Sequence, residues 1–244
     1  MRITRWRMLA IEGVMGVVVL AACTALVVRT VNRSSSPPTV PHVASLAADG
    51  HAGATLEVIT GTPDLTIGVA DLGLTGTLLR VSTPAASPAP QLRTAGGGGN
   101  PVVSLSAPEA AAITVTLNSA VSWQLDLAAG TTRTVADLAA GRVAGIAVTK
   151  GSELIDLTLP RPAASVTVRL AAGASRLELS LPSGVPAQVS TTAGAGEISL
   201  DGQVHVGVAA GSVFATPGWA AGAAGYDLDA TAGAARITVT TRAG

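Results

Sequence analysis

Two stretches one repeat apart decide the fold: GSELIDLTLP at 151–160 and GASRLELSLP at 173–182. In each stretch apolar residues alternate with polar ones, which predicts a β-strand with one buried face. A glycine opens each stretch and a Leu-Pro pair closes it, because proline lacks the backbone N–H that a continuing strand would need. The two stretches therefore predict equivalent strands 22 residues apart.

The same phrase recurs along the chain. Gly130, Gly151, Gly173 and Gly194 follow one another at intervals of 21, 22 and 21 residues. A fixed period in the twenties with strands rather than helices predicts a β-solenoid of 21–22-residue rungs. The alternative is a β-sandwich whose hairpins are evenly spaced. The expected inward positions lie four and six residues after a glycine: Leu65 and Ile67, Ile155 and Leu157, Leu177 and Leu179, Ile198 and Leu200, Ile237 and Val239.

Stacking of these copies predicts specific neighbours. Leu157, Leu179 and Leu200 should lie above one another, Arg176 should meet Glu197, and Asp156 should lie beside Glu178. The Gly130 copy is out of step by one residue, which suggests a bulge there.

Composition limits the core and the function. The chain has 15 basic and 15 acidic residues, and charged residues are only 12% of the total. Such a surface argues against nucleic acid, whose binding needs clustered Lys and Arg. Hydrophobic residues are 48% but aromatic residues only 2%, so the predicted core is thin and aliphatic.

An apolar run at 8–28 is interrupted only by Glu12. Arg2, Arg5 and Arg7 precede it, and Arg29 and Arg33 follow it. As a helix it would be about 30 Å long, the thickness of a bilayer core. The arginines that precede it favour a cytoplasmic N-terminus. We therefore expect a single-pass cell-membrane protein, with the membrane itself as the first partner through residues 8–28.

The predicted segments are a cytoplasmic tail at 1–7, a transmembrane signal anchor at 8–29, a Ser/Pro linker at 30–41 and an extracytoplasmic β domain at 42–244. A patternless stretch at 83–100 predicts a flexible loop within this domain.

Two alternatives to the transmembrane anchor remain. Leu-Ala-Ala-Cys at 20–23 resembles a bacterial lipobox, which would make Cys23 a lipidation site, and ordinary signal cleavage would remove the segment. All three readings place the remaining chain outside the cytoplasmic membrane.

The repeat resembles a known family. The residues that carry the resemblance are WQLDL at 123–127 before Gly130, the Leu-Pro-ended phrase at 173–182, and WAAGAAGYDLD at 219–229 before Gly233. Over about 100–244 they are similar to the toast-rack, or putative-adhesin, β-solenoid domains of bacterial envelope proteins, including actinobacterial ones. The resemblance implies a surface location and a link of some relatives to cell-wall stress sensing, and it brings no catalytic residues.

Candidate chemical groups are sparse. His42, His51 and His205 are widely scattered, and His205 should face outward because it lies between two valines. Two acidic pairs are candidates: Asp126 with Asp137, and Asp227 with Asp229. The members of the second pair are two residues apart on one strand face, so they could share a proton. We expect no catalytic residue, cofactor site or metal site, and no enzyme activity. Phe214, Trp219 and Tyr226 form the one aromatic cluster, either an end cap or a contact patch for a partner or glycan.

The sequence thus predicts a non-enzymatic, membrane-anchored envelope protein with an adhesin-like structural or interaction domain. The expected partner is an envelope protein or a wall polymer. The alternative is a sensory or regulatory exodomain in the cell-envelope stress response. Because the cytoplasmic tail has only about seven residues, a sensor would need a membrane partner to signal.

The anchor prediction can be checked by mass spectrometry of the mature protein from its native membrane. An uncleaved signal anchor should give an N-terminal peptide that begins at or next to Met1. A diacylglyceryl group on Cys23, lost in a Cys23→Ser variant, would contradict the transmembrane anchor and support the lipoprotein.

Overall fold

The described part of the chain is built from strands. The computed structural model describes residues 40–73, 76–96 and 99–242, which contain nineteen β-strands and no helix. In chain order these are β1 (His42–Ala47), β2 (Gly53–Val58), β3 (Thr62–Ala70), β4 (Thr77–Thr83), β5 (Gln91–Ala95), β6 (Val102–Ser106), β7 (Ala112–Asn118), β8 (Ser122–Leu127), β9 (Thr131–Asp137), β10 (Arg142–Val148), β11 (Ser152–Thr158), β12 (Ser165–Leu170), β13 (Ala174–Pro182), β14 (Ala187–Thr191), β15 (Ala195–Leu200), β16 (Gln203–Val208), β17 (Ser212–Ala215), β18 (Gly225–Ala230) and β19 (Ala234–Arg242).

The strands form two mixed sheets. Sheet 1 has ten strands in the order β1-β4-β7-β3-β9-β11-β13-β19-β15-β16. Sheet 2 has nine strands in the order β17-β14-β18-β12-β10-β8-β2-β6-β5. The apolar faces of both sheets contribute to one hydrophobic core. The all-β prediction is confirmed.

The interior of each sheet is parallel, and its ends are antiparallel. In sheet 1 the pairs from β7 to β15 are parallel, whereas β1, β4 and β16 run antiparallel to their neighbours. In sheet 2 the pairs from β6 to β14 are parallel, with antiparallel β5 and β17 at the edges. Parallel neighbours need long crossovers. Here the chain supplies them by passing through the other sheet between one strand and its parallel neighbour.

A strand of sheet 2 and the strand of sheet 1 that follows it make one two-strand unit. The units have the same spatial order in both sheets: β6–β7, β2–β3, β8–β9, β10–β11, β12–β13, β18–β19 and β14–β15. Two units are therefore out of chain order. The β2–β3 unit lies between two later units, and the final β18–β19 unit is inserted between β12–β13 and β14–β15.

Because the final unit is inserted there, one predicted pair of neighbours, Leu179 and Leu200, is wrong. Leu157 pairs in register with Leu179, as predicted. Leu179 then pairs with Val239, and Val239 pairs with Leu200, so Leu200 lies in the same row but one strand further away. The repeat in the sequence sets the row in which a side chain lies. It does not set which copy is adjacent, because every copy offers an aliphatic residue at that position.

The recurring glycines line one corner of the domain, where sheet 2 passes into sheet 1. A Cβ built on Gly61 would lie 2.9 Å from the carbonyl oxygen of Gly130, and one on Gly130 would lie 3.3 Å from that of Gly151. Gly61, Gly130, Gly151 and Gly173 do not have positive φ, whereas Gly194 has a φ of 86°. At Gly61 and Gly130 the stacked backbones approach so closely that a side chain would push them apart.

The Gly130 copy is in step with the others, so the bulge expected from a one-residue offset was wrong. Its inward residues are Thr134, which pairs with Ile155, and Ala136, which pairs with Leu157. Thr134 is buried, and its hydroxyl shares a 2.8 Å hydrogen bond with the hydroxyl of Thr131. Because that bond satisfies the buried polar group, a threonine can take a core position that the hydrophobic pattern does not reveal.

The described part of the stretch 83–100 is not entirely a loop. It contains β5, which pairs antiparallel with β6 from Gln91 opposite Ser106 to Ala95 opposite Val102. The strand was missed because it carries polar residues and lies at the exposed edge of sheet 2. Four of the five β5 residues are exposed, so this strand lacks the alternating burial on which the prediction relied.

The predicted tail at 1–7, the anchor at 8–29, the lipidation candidate Cys23 and nearly all of the linker at 30–41 lie outside the described residues. Within the described residues, there is no helix of the length and apolarity that a bilayer crossing requires.

The inserted strand order predicts which outward positions can be joined by a disulfide. In a Cys23→Ser background, Glu178→Cys with Thr238→Cys should crosslink on oxidation, because these positions pair between β13 and β19. Adjacent strands lie about 4.8 Å apart, within disulfide reach. The control pair, Glu178→Cys with Ser199→Cys, spans two strands and should not crosslink. Intact-mass measurement after oxidation would report the bond, and efficient crosslinking of the control pair would contradict the insertion of β19.

Candidate functional site

A groove runs along the glycine corner, across the strands rather than along them. It consists of three adjoining hollows with volumes of about 460, 460 and 350 Å³. Ser175 lines all three, Glu153 lines the first two, and Arg176 lines the first and the third. We call it the corner groove. Its lining comes from the first residues of β9, β11, β13, β19 and β15 and from Gly151, Gly173 and Gly233, which precede β11, β13 and β19. Because the groove follows the stacking direction, equivalent residues of successive strands succeed one another along it.

One row of outward side chains borders the corner groove and carries most of its charge. Register places its members on neighbouring strands of sheet 1 in the order Asp64, Arg133, Leu154, Arg176, Arg236 and Glu197. The expected contact between Arg176 and Glu197 is wrong, because Arg236 of the inserted β19 lies between them. Three of the six positions are therefore arginine.

The arginines differ in how far they are neutralised. Arg236 pairs with Glu197 through two contacts, Nε to Oε1 at 3.0 Å and Nη2 to Oε2 at 3.2 Å. Arg176 has only a 3.8 Å approach to Glu178, and its side chain is 52% exposed. Among the described acidic side chains, none lies within 4 Å of the Arg133 guanidinium. An exposed pair at 3.8 Å adds little stability, so a ligand can replace it at Arg176. Arg133 forms no such pair with the described acidic side chains, so its hydrogen-bond donors are available as well.

Hydroxyl groups line the same corner. The Thr131 hydroxyl lies 3.0 Å from that of Ser152, which in turn donates to the carbonyl oxygen of Leu154 at 3.1 Å. Thr132 and Ser175 are exposed and border the first hollow. The corner groove thus offers hydroxyls and guanidinium groups to a ligand, with no aromatic ring in its lining. Sequence reasoning missed it, although the arginines recur three residues after glycines, at Arg133, Arg176 and Arg236.

At the end of the domain, in β16, the histidine is the covered residue and the valines beside it are exposed, which reverses the burial expected from their polarity. His205 is half-buried and stacks on Phe214, with ring centroids 4.2 Å apart and an interplanar angle of 27°. The expectation that His205 faces outward is therefore wrong. It pairs in register with buried Ile198, and Phe214 pairs with buried Val189, so the two rings close the core between the edge strands. The valines on either side of His205 point outward instead, and Val206 is 78% exposed.

Phe214, Trp219 and Tyr226 occupy three different environments. Trp219 is half-buried and packs over Gly225, where an added Cβ would lie 3.0 Å from its Cζ3 atom. Tyr226 is fully buried, and its hydroxyl donates to the carbonyl oxygen of Pro160 at 2.8 Å. Burial raises the pKa of the Tyr226 hydroxyl well above its usual range, although nearby Arg242 acts in the opposite direction. Tyr226 is therefore part of the core and unavailable to a surface ligand.

The acidic pairs are separated or solvent-facing. Asp126 lies on β8 in sheet 2 and Asp137 on β9 in sheet 1, so the structure does not bring them together. Asp227 and Asp229 share the outer face of β18, and Gln188 donates to Asp227 at 3.4 Å. Asp156 and Glu178 pair in register, as predicted.

The remaining histidines have separate positions as well. His42 begins β1, and the His51 ring nitrogen Nδ1 lies 3.0 Å from the carbonyl oxygen of Gly99. Within the ranges that the structure describes, no three His, Cys, Asp or Glu side chains gather as a metal site would require.

The fold and groove define the class of this chain: an all-β domain of two mixed sheets with an open polar groove. It is similar to the crystal structure of a "putative cell adhesion protein" from Clostridium sporogenes, with a TM-score of 0.63 and 15% sequence identity. The match covers 82% of this chain and 99% of that protein. At this identity the similarity establishes the fold alone. No protein-family model and no curated protein sequence matches the chain.

The buried phenol predicts a pH-dependent stability. The unfolded chain releases the Tyr226 proton above about pH 10, whereas the folded chain retains it because burial raises the pKa. The folded state then binds more protons than the unfolded state, so the free energy of unfolding should fall as pH rises above about 10.

Tyr226→Phe should remove that fall. It should also lower stability at neutral pH by about 1–3 kcal/mol, because the Pro160 carbonyl loses its partner. Urea unfolding at several pH values measures both effects. Tyr226 is the one tyrosine in the chain, so phenolate absorbance reports it directly. An absorbance midpoint near pH 10 in the folded protein would refute the burial argument.

Proposed function

We propose that this chain is a non-enzymatic envelope protein whose N-terminal segment anchors it in the cell membrane and whose β domain is an adhesin-like interaction module outside the cytoplasm. The observation that carries the proposal is the fold similarity to the Clostridium sporogenes protein over nearly all of that protein's length. The apolar run at 8–28 and the flanking arginines support the anchor.

We further infer that the domain is a β-solenoid of the toast-rack type. Three features support this inference: the identical order of the two-strand units in both sheets, the in-register aliphatic rows, and the glycine corner at which stacked backbones approach closely. A rigid stack of this kind holds equivalent outward residues at a regular spacing, so it can present a long surface to a partner.

The non-enzymatic role is part of the same proposal. One observation in its support is that Asp126 and Asp137, an acidic pair suggested by the sequence, belong to different sheets. The corner groove is open and offers hydroxyls and guanidinium groups, which suit recognition of a ligand. A guanidinium group donates hydrogen bonds and accepts none, so it suits ligand binding better than proton abstraction.

Photocrosslinking in native membranes tests this proposal. A benzoylphenylalanine at Val206 would sample the exposed end of sheet 1, and one at Glu153 would sample the corner groove. Irradiation of intact cells should join the full chain to a wall polymer or an envelope protein, and non-irradiated cells serve as the control. A reproducible kinase or transporter partner would instead favour a sensory exodomain. Products with cytosolic proteins alone, or recovery of the full chain in the soluble fraction, would refute the proposal.

A further inference from the structure

The corner groove differs from the other outward surfaces in the arrangement of its basic groups. Arg133 and Arg176 lie on β9 and β13, with Leu154 of β11 between them. Two strand spacings separate the two arginines, or about 10 Å. Both side chains are exposed, Arg133 has no acidic partner among the described side chains, and the partner of Arg176 is 3.8 Å away. These two guanidinium groups are consequently free to bind acidic groups at a fixed spacing.

The remaining charges in the groove limit what can bind. Arg236 is neutralised by Glu197, and the exposed Glu153 lies on the strand between Arg133 and Arg176. A densely charged polyanion would place acidic groups next to Glu153 and be repelled there. A ligand whose acidic groups are sparse, with neutral polar units between them, avoids that repulsion. It can still form charge-assisted hydrogen bonds with both arginines.

The backbone around the groove favours a carbohydrate over a peptide. The groove crosses the strands where their backbone N–H and C=O groups already bond to neighbours, as the Thr131 N–H does to the Gly151 carbonyl and the Ser152 N–H does to the Gly173 carbonyl. A peptide strand would need unpaired backbone groups to add to the sheet. What the groove presents instead are hydroxyls, including Thr132 and Ser175, which match a hydroxyl-rich chain.

We propose that the corner groove binds an acidic polysaccharide, with spaced carboxylates on Arg133 and Arg176 and sugar hydroxyls on the intervening Ser and Thr side chains. The inference rests on the proposed interaction role and gives it a ligand class. Because the aromatic platforms that stack on neutral sugar rings are absent from this lining, the carboxylates dominate recognition. Binding should therefore weaken with added salt.

The test uses the purified full chain in nanodiscs and a galacturonic acid oligomer as the ligand, with a maltose-series oligomer of equal length as the neutral comparison. Calorimetry should detect the acidic oligomer and not the neutral one. Arg133→Gln with Arg176→Gln should lower the affinity at least about tenfold, since both charge-assisted contacts are lost. The matched control, Arg80→Gln with Arg169→Gln, removes the same charge from exposed positions outside the groove and should leave affinity nearly unchanged.

Three results would overturn the inference: no binding of the acidic oligomer at millimolar concentration, equal affinity for the neutral oligomer, or equal losses in the two double variants. Circular dichroism of each variant would verify that it keeps its β structure. The proposed function is judged separately by the crosslinks from Val206, which lies outside the corner groove. If those crosslinks persist while the acidic oligomer fails to bind, the interaction role stands and the groove assignment falls.

Discussion

In-register stacking of equivalent residues is the constraint on which the rest of this domain depends. Along sheet 1, Ile155, Leu177, Ile237 and Ile198 succeed one another on neighbouring strands and are all buried. Each row joins short aliphatic side chains into a continuous core. That core needs few aromatic residues because no single unit must enclose it alone. The same stacking brings the corner backbones so close that glycine recurs there.

Stacking also leaves open edges at the ends of both sheets, and the strand arrangement at the two ends is similar. At each end the chain leaves the parallel stack, forms antiparallel edge strands, and returns to insert a unit beside earlier ones. The returning β18–β19 unit is held by contacts beyond its own strands. Tyr226 donates to the Pro160 carbonyl, and Arg242 donates to the Leu159 carbonyl at 2.7 Å. These two hydrogen bonds join the β18–β19 unit to the segment that follows β11.

The corner groove is a consequence of the same geometry. Because strands stack in register, residues at one repeat position form a row across the sheet. Three arginines of one such row, Arg133, Arg176 and Arg236, lie along the corner groove. A row on a rigid sheet holds its members at multiples of the strand spacing. Such a surface suits a long ligand with repeating groups.

The sequence by itself determined the all-β class, the recurrence of glycine at intervals near 21 residues, and the inward face of β3, β11, β13, β15 and β19. It could do so because a two-residue alternation and a recurrent glycine are local signals. Only the tertiary structure decided the order of the units, since any copy can offer an aliphatic neighbour to any other. It placed Val239 between Leu179 and Leu200, and Arg236 between Arg176 and Glu197. It also placed His205 inward. A side chain on the edge strand of one sheet is covered only where the edge strand of the other sheet provides a contact, and here Phe214 does so.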